Sequence, residues 1–388
     1  MDFAQNPLHD DIRSAVRDMM KPFDDQYWME HDNDKEFPWE FYNAVAKAGW
    51  LGITIPEEFG GGGLGVTEAA IVEHEISASG GGMNACSAVH IGIFGFDPII
   101  RHGSEEMKMR FLPRVPTGDL HICFAVTEPD AGTDTTGITT FARKVDGGYR
   151  VSGKKVWITK AQQAERMLLL VRTAKREDGV KRTDGMTLLF AEMDPEHVQI
   201  REIPKLGRNA VNTNEVFIDD LFVPDEDVVG EVGKGFKAIL SGLNAERIIA
   251  SNAALGIGRA AVRRATAYAK ERHVFDRPIG QNQAIAHPLA EAMMRLDAAE
   301  LVVSKAAWLL DNGFECGKEA NEGKYLSADA AFKAADVALQ THGGFGYGKE
   351  FHVERYFREA RLKRIAPISQ EMVLNYLSEH VLGLPRSY

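Results

Sequence analysis

The chain has 388 residues, 44% of them hydrophobic and 26% charged, which excludes a disordered or low-complexity polymer and predicts two or three folded domains. Forty-five Lys and Arg against 56 Asp and Glu leave a net charge of −11, so neither nucleic acid nor an anionic membrane is a default partner. Three widely separated cysteines, Cys86, Cys123 and Cys316, form neither a disulfide framework nor a metal pattern.

The start, Met1–Gln5, is acidic and lacks the apolar core of a secretory signal. No apolar run approaches the roughly 20 residues that span a bilayer. The expectation is a soluble protein in a reducing compartment, cytoplasmic, or in the mitochondrial matrix if a transit peptide has been removed.

Residues 1–120 read as a helical domain, with apolar spacings of three and four over His9–Tyr27, Trp39–Ala48, Thr67–Ser79 and Ser87–His102. The run Gly60–Gly63 follows Pro56-Glu57-Glu58-Phe59 and has no adjoining Lys-Ser/Thr, so it reads as a connecting loop rather than a phosphate cradle. Residues 121–229 change to short runs rich in β-branched and aromatic residues: Met167–Thr173, Thr187–Met193, Val198–Ile203 and Val216–Val223, with a turn-rich stretch over Lys175–Gly185. Phe141–Val145 and Gly148–Ser152 flank an Asp146-Gly147 turn, the signature of a hairpin. This middle part is predicted to be an antiparallel β-domain. Residues 230–388 return to long helices, roughly Gly235–Arg272, Ala284–Asn312, Glu319–His342 and His352–His380, which predict a four-helix bundle. The fold class is therefore α+β and multidomain. Gly343–Gly348 follows a helix and lacks the spacing of a dinucleotide fold.

Two segments of the middle part carry chemistry. Cys123–Asp134 is an apolar strand breaking into Thr127-Glu128-Pro129-Asp130-Ala131-Gly132-Thr133, and Gly153–Thr159 ends in Trp157-Ile158-Thr159. Each alone is an ordinary strand or turn. Together they offer hydroxyls, backbone N–H groups and an aromatic plane, which suit a flat heteroaromatic ligand with carbonyl edges.

On the helix near residue 246 the apolar stripe runs Phe236, Ile239, Leu243, Ala250, Ala253, and Glu246 falls on it. Its neighbours three and four residues away are Gly242, Leu243, Ile249 and Ala250, none able to pair with a carboxylate. An inward carboxyl without a local partner is costly and has its pKa raised by burial. The spacing leaves two readings open: a cross-helix salt bridge, or a general base in an apolar pocket.

The paired segments, in this order and with these neighbours, resemble the acyl-CoA dehydrogenase family along nearly the whole chain. The resemblance implies FAD bound by Phe124, Val126, Thr127, Thr133, Trp157, Ile158 and Thr159. Arg272-His273-Val274-Phe275 and Gln283 resemble the family's Arg-x-x-Phe…Gln segment, which reaches the cofactor of a neighbouring subunit. Gln340-Thr341-His342-Gly343-Gly344 resembles its Gln-x-x-Gly-Gly turn, and Ser369 and Glu371 match positions at the flavin diphosphate and ribose. Thr133 also matches a hydroxyl on the CoA side, while Asn244 and Arg247 flank the acyl pocket.

Most members carry their base in a Tyr-Glu-Gly-Thr motif after Arg-Asp-Ala-Lys. Here Arg358-Glu359-Ala360-Arg361 leads to Ala366-Pro367-Ile368-Ser369, with no acid at that position. A branch typified by isovaleryl-CoA and long-chain acyl-CoA dehydrogenases carries the base in Leu-x-x-Glu-Arg, which Leu243–Arg247 matches. The resemblance thus implies Glu246 as base, conversion of an acyl-CoA to a trans-2-enoyl-CoA, electron-transferring flavoprotein as acceptor, and a homotetramer. Pro367 removes a backbone N–H that in the family helps to hold the thioester oxygen, leaving Ala366 or another donor. The alternative is the same fold with different flavin chemistry: an oxidase, monooxygenase or desulfinase. A flavin fold used only for binding is a third reading, disfavoured by the intact strand segments. No histidine spacing suggests a metal.

Overall fold

The computed structural model describes residues 6–175 and 181–386, so Met1–Gln5 and part of the turn-rich Lys175–Gly185 stretch lie outside the described residues. Asn6 accepts from the Leu8 N–H at 3.1 Å and starts α1 (Pro7–Met20). The expected His9–Tyr27 helix is divided, because Asp24 caps a new helix, α2 (Asp25–Asp34), by accepting from the Tyr27 N–H at 3.0 Å. After α3 (Trp39–Lys47) come α4 (Val66–Ile76), α5 (Gly82–Phe94), α6 (Asp97–His102) and α7 (Glu105–Phe111). The expected Ser87–His102 helix is likewise two helices, split at Gly95 and Phe96.

The Val66–His102 stretch has the length and composition of a membrane span, which corrects the expectation that no apolar run approaches one. Its side chains are mostly buried, and α4 and α5 form the core of the helical domain with Trp28, Phe41 and Tyr42.

The middle sheet is built from β1 (Ile122–Ala125), β2 (Phe141–Val145), β3 (Gly148–Thr159), β4 (Arg166–Arg172), β5 (Met186–Glu192), β6 (Val198–Glu202), β7 (Thr213–Pro224) and β8 (Val228–Val229). The order is β6-β7-β3-β2-β4-β5-β8, with β1 also on β4. The sheet is mixed rather than antiparallel as expected: β1 and β2 both run parallel to β4. Gly147, at φ 71°, closes the β2–β3 hairpin as its sequence predicts.

The bundle consists of α8 (Gly235–Glu271), α9 (Gln283–Asp311), α10 (Gly317–His342), α11 (Val353–Lys363) and the short α12 (Gln370–Tyr376). A two-stranded hairpin, β9 (His273–Val274) and β10 (Arg277–Pro278), links α8 to α9. The expected His352–His380 helix is interrupted over residues 364–369, where Pro367 lacks the N–H that would continue it and Ser369 caps α12.

Gly235 fixes where α8 meets the sheet. A Cβ there would lie 2.2 Å from the Leu188 backbone nitrogen in β5, and backbone cannot move aside as a side chain does. Gly235→Ala is therefore expected to destabilise the protein by about 2 kcal/mol or more, measured by denaturant unfolding. An unchanged midpoint would show that α8 slides on the sheet at no cost.

Candidate active site

β1 and β3 place the two chemistry-bearing segments side by side. Beyond β1, Thr127 O accepts from the Val156 N–H at 2.9 Å. Lys155, 0% exposed, donates to Val126 O at 3.0 Å and to Glu128 Oε1 at 2.9 Å. Glu128 in turn accepts from the Thr139 N–H and hydroxyl at 2.6 and 2.8 Å and from the Thr140 N–H at 3.0 Å. Burial alone would raise its carboxyl, but the Lys155 charge and these hydrogen bonds reverse that and hold it at about 2. The Val126–Ala131 turn is thereby locked to β3.

A register shift in the β3–β7 ladder between Lys155 and Ile158 turns Trp157 outward. Trp157 has φ 64° and is 59% exposed, a left-handed conformation that is uncommon for a bulky aromatic and costs of order 1–3 kcal/mol. Such strain, held at the end of a strand, presents a flat aromatic face outward. Ile158 points into the β-domain core, so only its backbone is available to a ligand; its carbonyl accepts from Asn214 Nδ2 at 3.0 Å. Thr159 Oγ1 accepts from Arg208 Nη2 at 3.0 Å.

Phe124, on β1, faces Phe94 with ring centroids 6.2 Å apart, and Phe94 lies 4.5 Å from the His90 ring. His90 Nδ1 is 2.7 Å from Oε1 of Glu73, a fully buried residue whose Oε2 has no partner among the described residues. Glu246 on α8 senses this group. Burial raises its carboxyl above the ordinary range, and the charges of His90, Arg247 and Lys363 only partly offset that. Among the described residues no hydrogen bond or ion pair engages the Glu246 carboxylate. It is closely surrounded by protein yet partly accessible. The cross-helix salt bridge left open by the sequence is absent among the described residues.

Arg247 donates to Asn244 Oδ1 at 2.9 Å, so these two side chains sit together. One turn after Glu246, Ala250 shares a crevice with Lys363, Ala366 and Pro367. The Ala366 N–H is taken up by Leu362 O at 2.9 Å, and Pro367 has none to give. The backbone donor left by sequence at this position, Ala366, is therefore not free for a thioester oxygen. Lys324 Nζ holds the Ile368 carbonyl, and Ser369 and Glu371 follow at the start of α12.

A second set of expected residues gathers at one end of the bundle. The Arg272 guanidinium lies 5.6 Å from the Phe345 ring, joining the β9–β10 hairpin to the turn after α10 that carries Gly343 and Gly344. Gly343, at φ 59°, and Gly344 have open space where a Cβ would stand. Gln283, Gln340 and Thr133 are exposed, and Phe275 is 92% exposed. No hydrogen bond, ion pair or ring contact among the described residues connects this cluster to Trp157 or Thr159. Sequence reading missed Glu73, His90, Lys363 and Arg208, whose partners lie on other elements.

The acyl-CoA dehydrogenase N-terminal, middle and C-terminal domain families match residues 6–119, 123–221 and 233–382. The chain belongs to the acyl-CoA dehydrogenase family. It is an enzyme of that family with FAD as cofactor. Acyl-CoA dehydrogenase FadE12 of Mycobacterium tuberculosis is 36% identical over 388 residues, covering 100% of this chain and 99% of that one. The caffeyl-CoA reductase-Etf complex subunit CarC of Acetobacterium woodii is 32% identical, covering 90% and 92%. The structure of glutaryl-coenzyme A dehydrogenase in its glutaryl-CoA complex superposes with a TM-score of 0.94 at 27% identity, covering 100% of this chain and 98% of that one.

FAD fits the residues present. The outward Trp157, the locked Val126–Thr127 turn and the Thr159 hydroxyl are the groups that would hold its ring, and the open Gly343–Gly344 backbone would permit close approach of an extended ligand.

Proposed function

We propose that this enzyme removes the α-proton of an acyl-CoA thioester with Glu246 while the β-hydrogen leaves to the flavin, giving a trans-2-enoyl-CoA. The observation that carries this reading is a carboxyl on α8 without an ion-pair partner among the described residues and with a raised pKa. Bound FAD supplies the two-electron acceptor. The remaining work falls to the protein. Phe94, Phe124 and Leu243 pack in or against the apolar core, and an apolar site there would exclude water and keep the carboxylate basic enough for a weakly acidic α-proton. Phe124, Val126, Thr127 and Trp157–Thr159 hold the ring. Asn244 and Arg247 flank the acyl chain, and Thr133 serves the CoA side. The Leu243–Arg247 motif supports a reading of the enzyme as one of the isovaleryl-CoA and long-chain branch. Electrons pass to an electron-transferring flavoprotein, a reading supported by the Etf complex to which CarC, by its name, belongs.

The lack of a free N–H at Ala366 and Pro367 favours a second reading, the same flavin fold with oxidase, monooxygenase or desulfinase chemistry. Anaerobic titration of the holoenzyme with a panel of acyl-CoAs, followed by admission of air, separates the two. An oxidase also bleaches and forms enoyl-CoA but reoxidises rapidly with dioxygen, whereas a monooxygenase or desulfinase forms no enoyl-CoA. Bleaching of the flavin with enoyl-CoA formed, and slow reoxidation in air, is the expected result. A flavin that stays oxidised with every acyl-CoA overturns the dehydrogenase assignment.

Arg272, Phe275 and Gln283 reach the cofactor of a neighbouring subunit in a homotetramer, the turn carrying Gln340, Gly343 and Gly344 approaches the adenine end, and Ser369 and Glu371 contact the flavin diphosphate and ribose. A phenyl ring exposed to 92% has nothing to lose in its own subunit. Phe275→Ala is thus expected to leave monomer folding intact while weakening FAD binding about tenfold and promoting dissociation. Sedimentation and FAD titration test this, and an unchanged tetramer with unchanged affinity would refute it.

A further inference from the structure

Among the described residues, Arg208 is a cation with no acid within ion-pair distance. Its Nη1 donates to Ser87 Oγ at 3.1 Å, and its Nη2 to Thr159 Oγ1 at 3.0 Å and Thr213 Oγ1 at 2.7 Å. All three acceptors are neutral hydroxyls, and among the described residues no carboxylate lies within ion-pair distance. Burial lowers its pKa to about 10, with Glu359 the acid that pulls it back. A guanidinium closely surrounded by protein without a counter-charge is costly.

The arrangement is nonetheless firmly built. Arg208 itself has φ 52°, in the left-handed region. The next two residues are anchored, Asn209 N–H to Asp32 Oδ1 at 2.9 Å and Ala210 N–H to Asn84 Oδ1 at 3.0 Å. The backbone is therefore held in an uncommon conformation that aims the side chain at the end of β3. A staple between α5 and the sheet would need only the hydroxyl contacts, and a neutral side chain would provide those at lower desolvation cost.

We propose that Arg208 is a positioning residue for the flavin: acting through Thr159, it fixes that hydroxyl and presents positive potential to the isoalloxazine edge, favouring the reduced, negatively charged flavin over the oxidised one. This rests on the reading above that the ring lies against Thr159. The close counter-charge missing among the described residues then arrives when the flavin accepts electrons.

The test is the reduction potential of FAD in the holoenzyme, measured by dye equilibration beside thermal stability and FAD affinity. Arg208→Gln removes the charge and keeps a hydrogen-bonding side chain. Ser87→Asp keeps the guanidinium but sets a carboxylate against it, which strengthens the staple while neutralising its field. Both variants are expected to lower the preference for reduced over oxidised FAD by about tenfold, equivalent to about 30 mV for a two-electron couple, and Arg208→Lys to hold it near the wild-type value. A purely structural role predicts lower stability for Arg208→Gln and an unmoved potential for Ser87→Asp, and that outcome overturns the proposal. If Arg208→Gln fails to fold, Ser87→Asp decides alone. A wild-type protein that does not hold FAD would sink the proposed site and this inference together; FAD bound with potentials unchanged in both variants would sink this inference only.

Discussion

Glu246→Gln is expected to bind FAD as tightly as the wild type and to lose turnover with an acyl-CoA by a factor on the order of 10³. The substitution is nearly isosteric, and the carboxylate makes no hydrogen bond or ion pair among the described residues, so little structure depends on its charge. On the proposed reading, what disappears is the group that accepts the α-proton. Rapid-reaction measurement of flavin reduction reads the step directly. A loss below tenfold would remove Glu246 from the reaction.

The same residue fixes the pH dependence. A base acts deprotonated, and burial raises its pKa. The acidic limb of kcat/KM should therefore lie above the ordinary carboxylate range, with activity rising as pH rises through it. In Glu246→Gln that limb should vanish from the residual rate. A wild-type limb at or below the ordinary carboxylate range would mean that a different, solvated acid is titrating.

That the Glu246 carboxyl is unpaired among the described residues and has a raised pKa was legible from sequence, because a single helix encodes both its face and the absence of a pairing residue three or four positions away. The β2–β3 hairpin was legible for a similar reason, since Asp146-Gly147 specifies the turn locally. The parallel pairing of β1 with β4 was not, because Ile122–Ala125 contains nothing that sets the direction of a neighbour 44 residues on. The break between α11 and α12 was hidden by the apolar periodicity on both sides of Pro367, although the proline itself carried the signal. Arg208 escaped because its acceptors lie 121, 49 and 5 residues away, and only the fold reveals that no acid joins them. His90 and Glu73 sit on successive helices whose crossing, rather than spacing, brings them to 2.7 Å.

Lys155→Met is expected to reduce stability by about 3–5 kcal/mol and to release FAD with it. The methionine fills the volume but leaves Glu128 buried with three hydrogen bonds from Thr139 and Thr140 and no cation. In the wild type Glu128 titrates at about 2, below its ordinary value of 4.5, so its contribution is present above that ordinary value and is lost as pH falls towards 2. Without Lys155 the carboxyl is desolvated with less to offset it, its pKa rises, and loss of stability on acidification should begin at a higher pH. Val126 O also loses its donor, so the turn that carries Thr127 loosens from β3. Denaturant unfolding at neutral and mildly acidic pH, followed with flavin fluorescence, checks both effects. A loss under about 1 kcal/mol would show that this pair contributes no more than one at the surface, and that the flavin turn is held by its backbone alone.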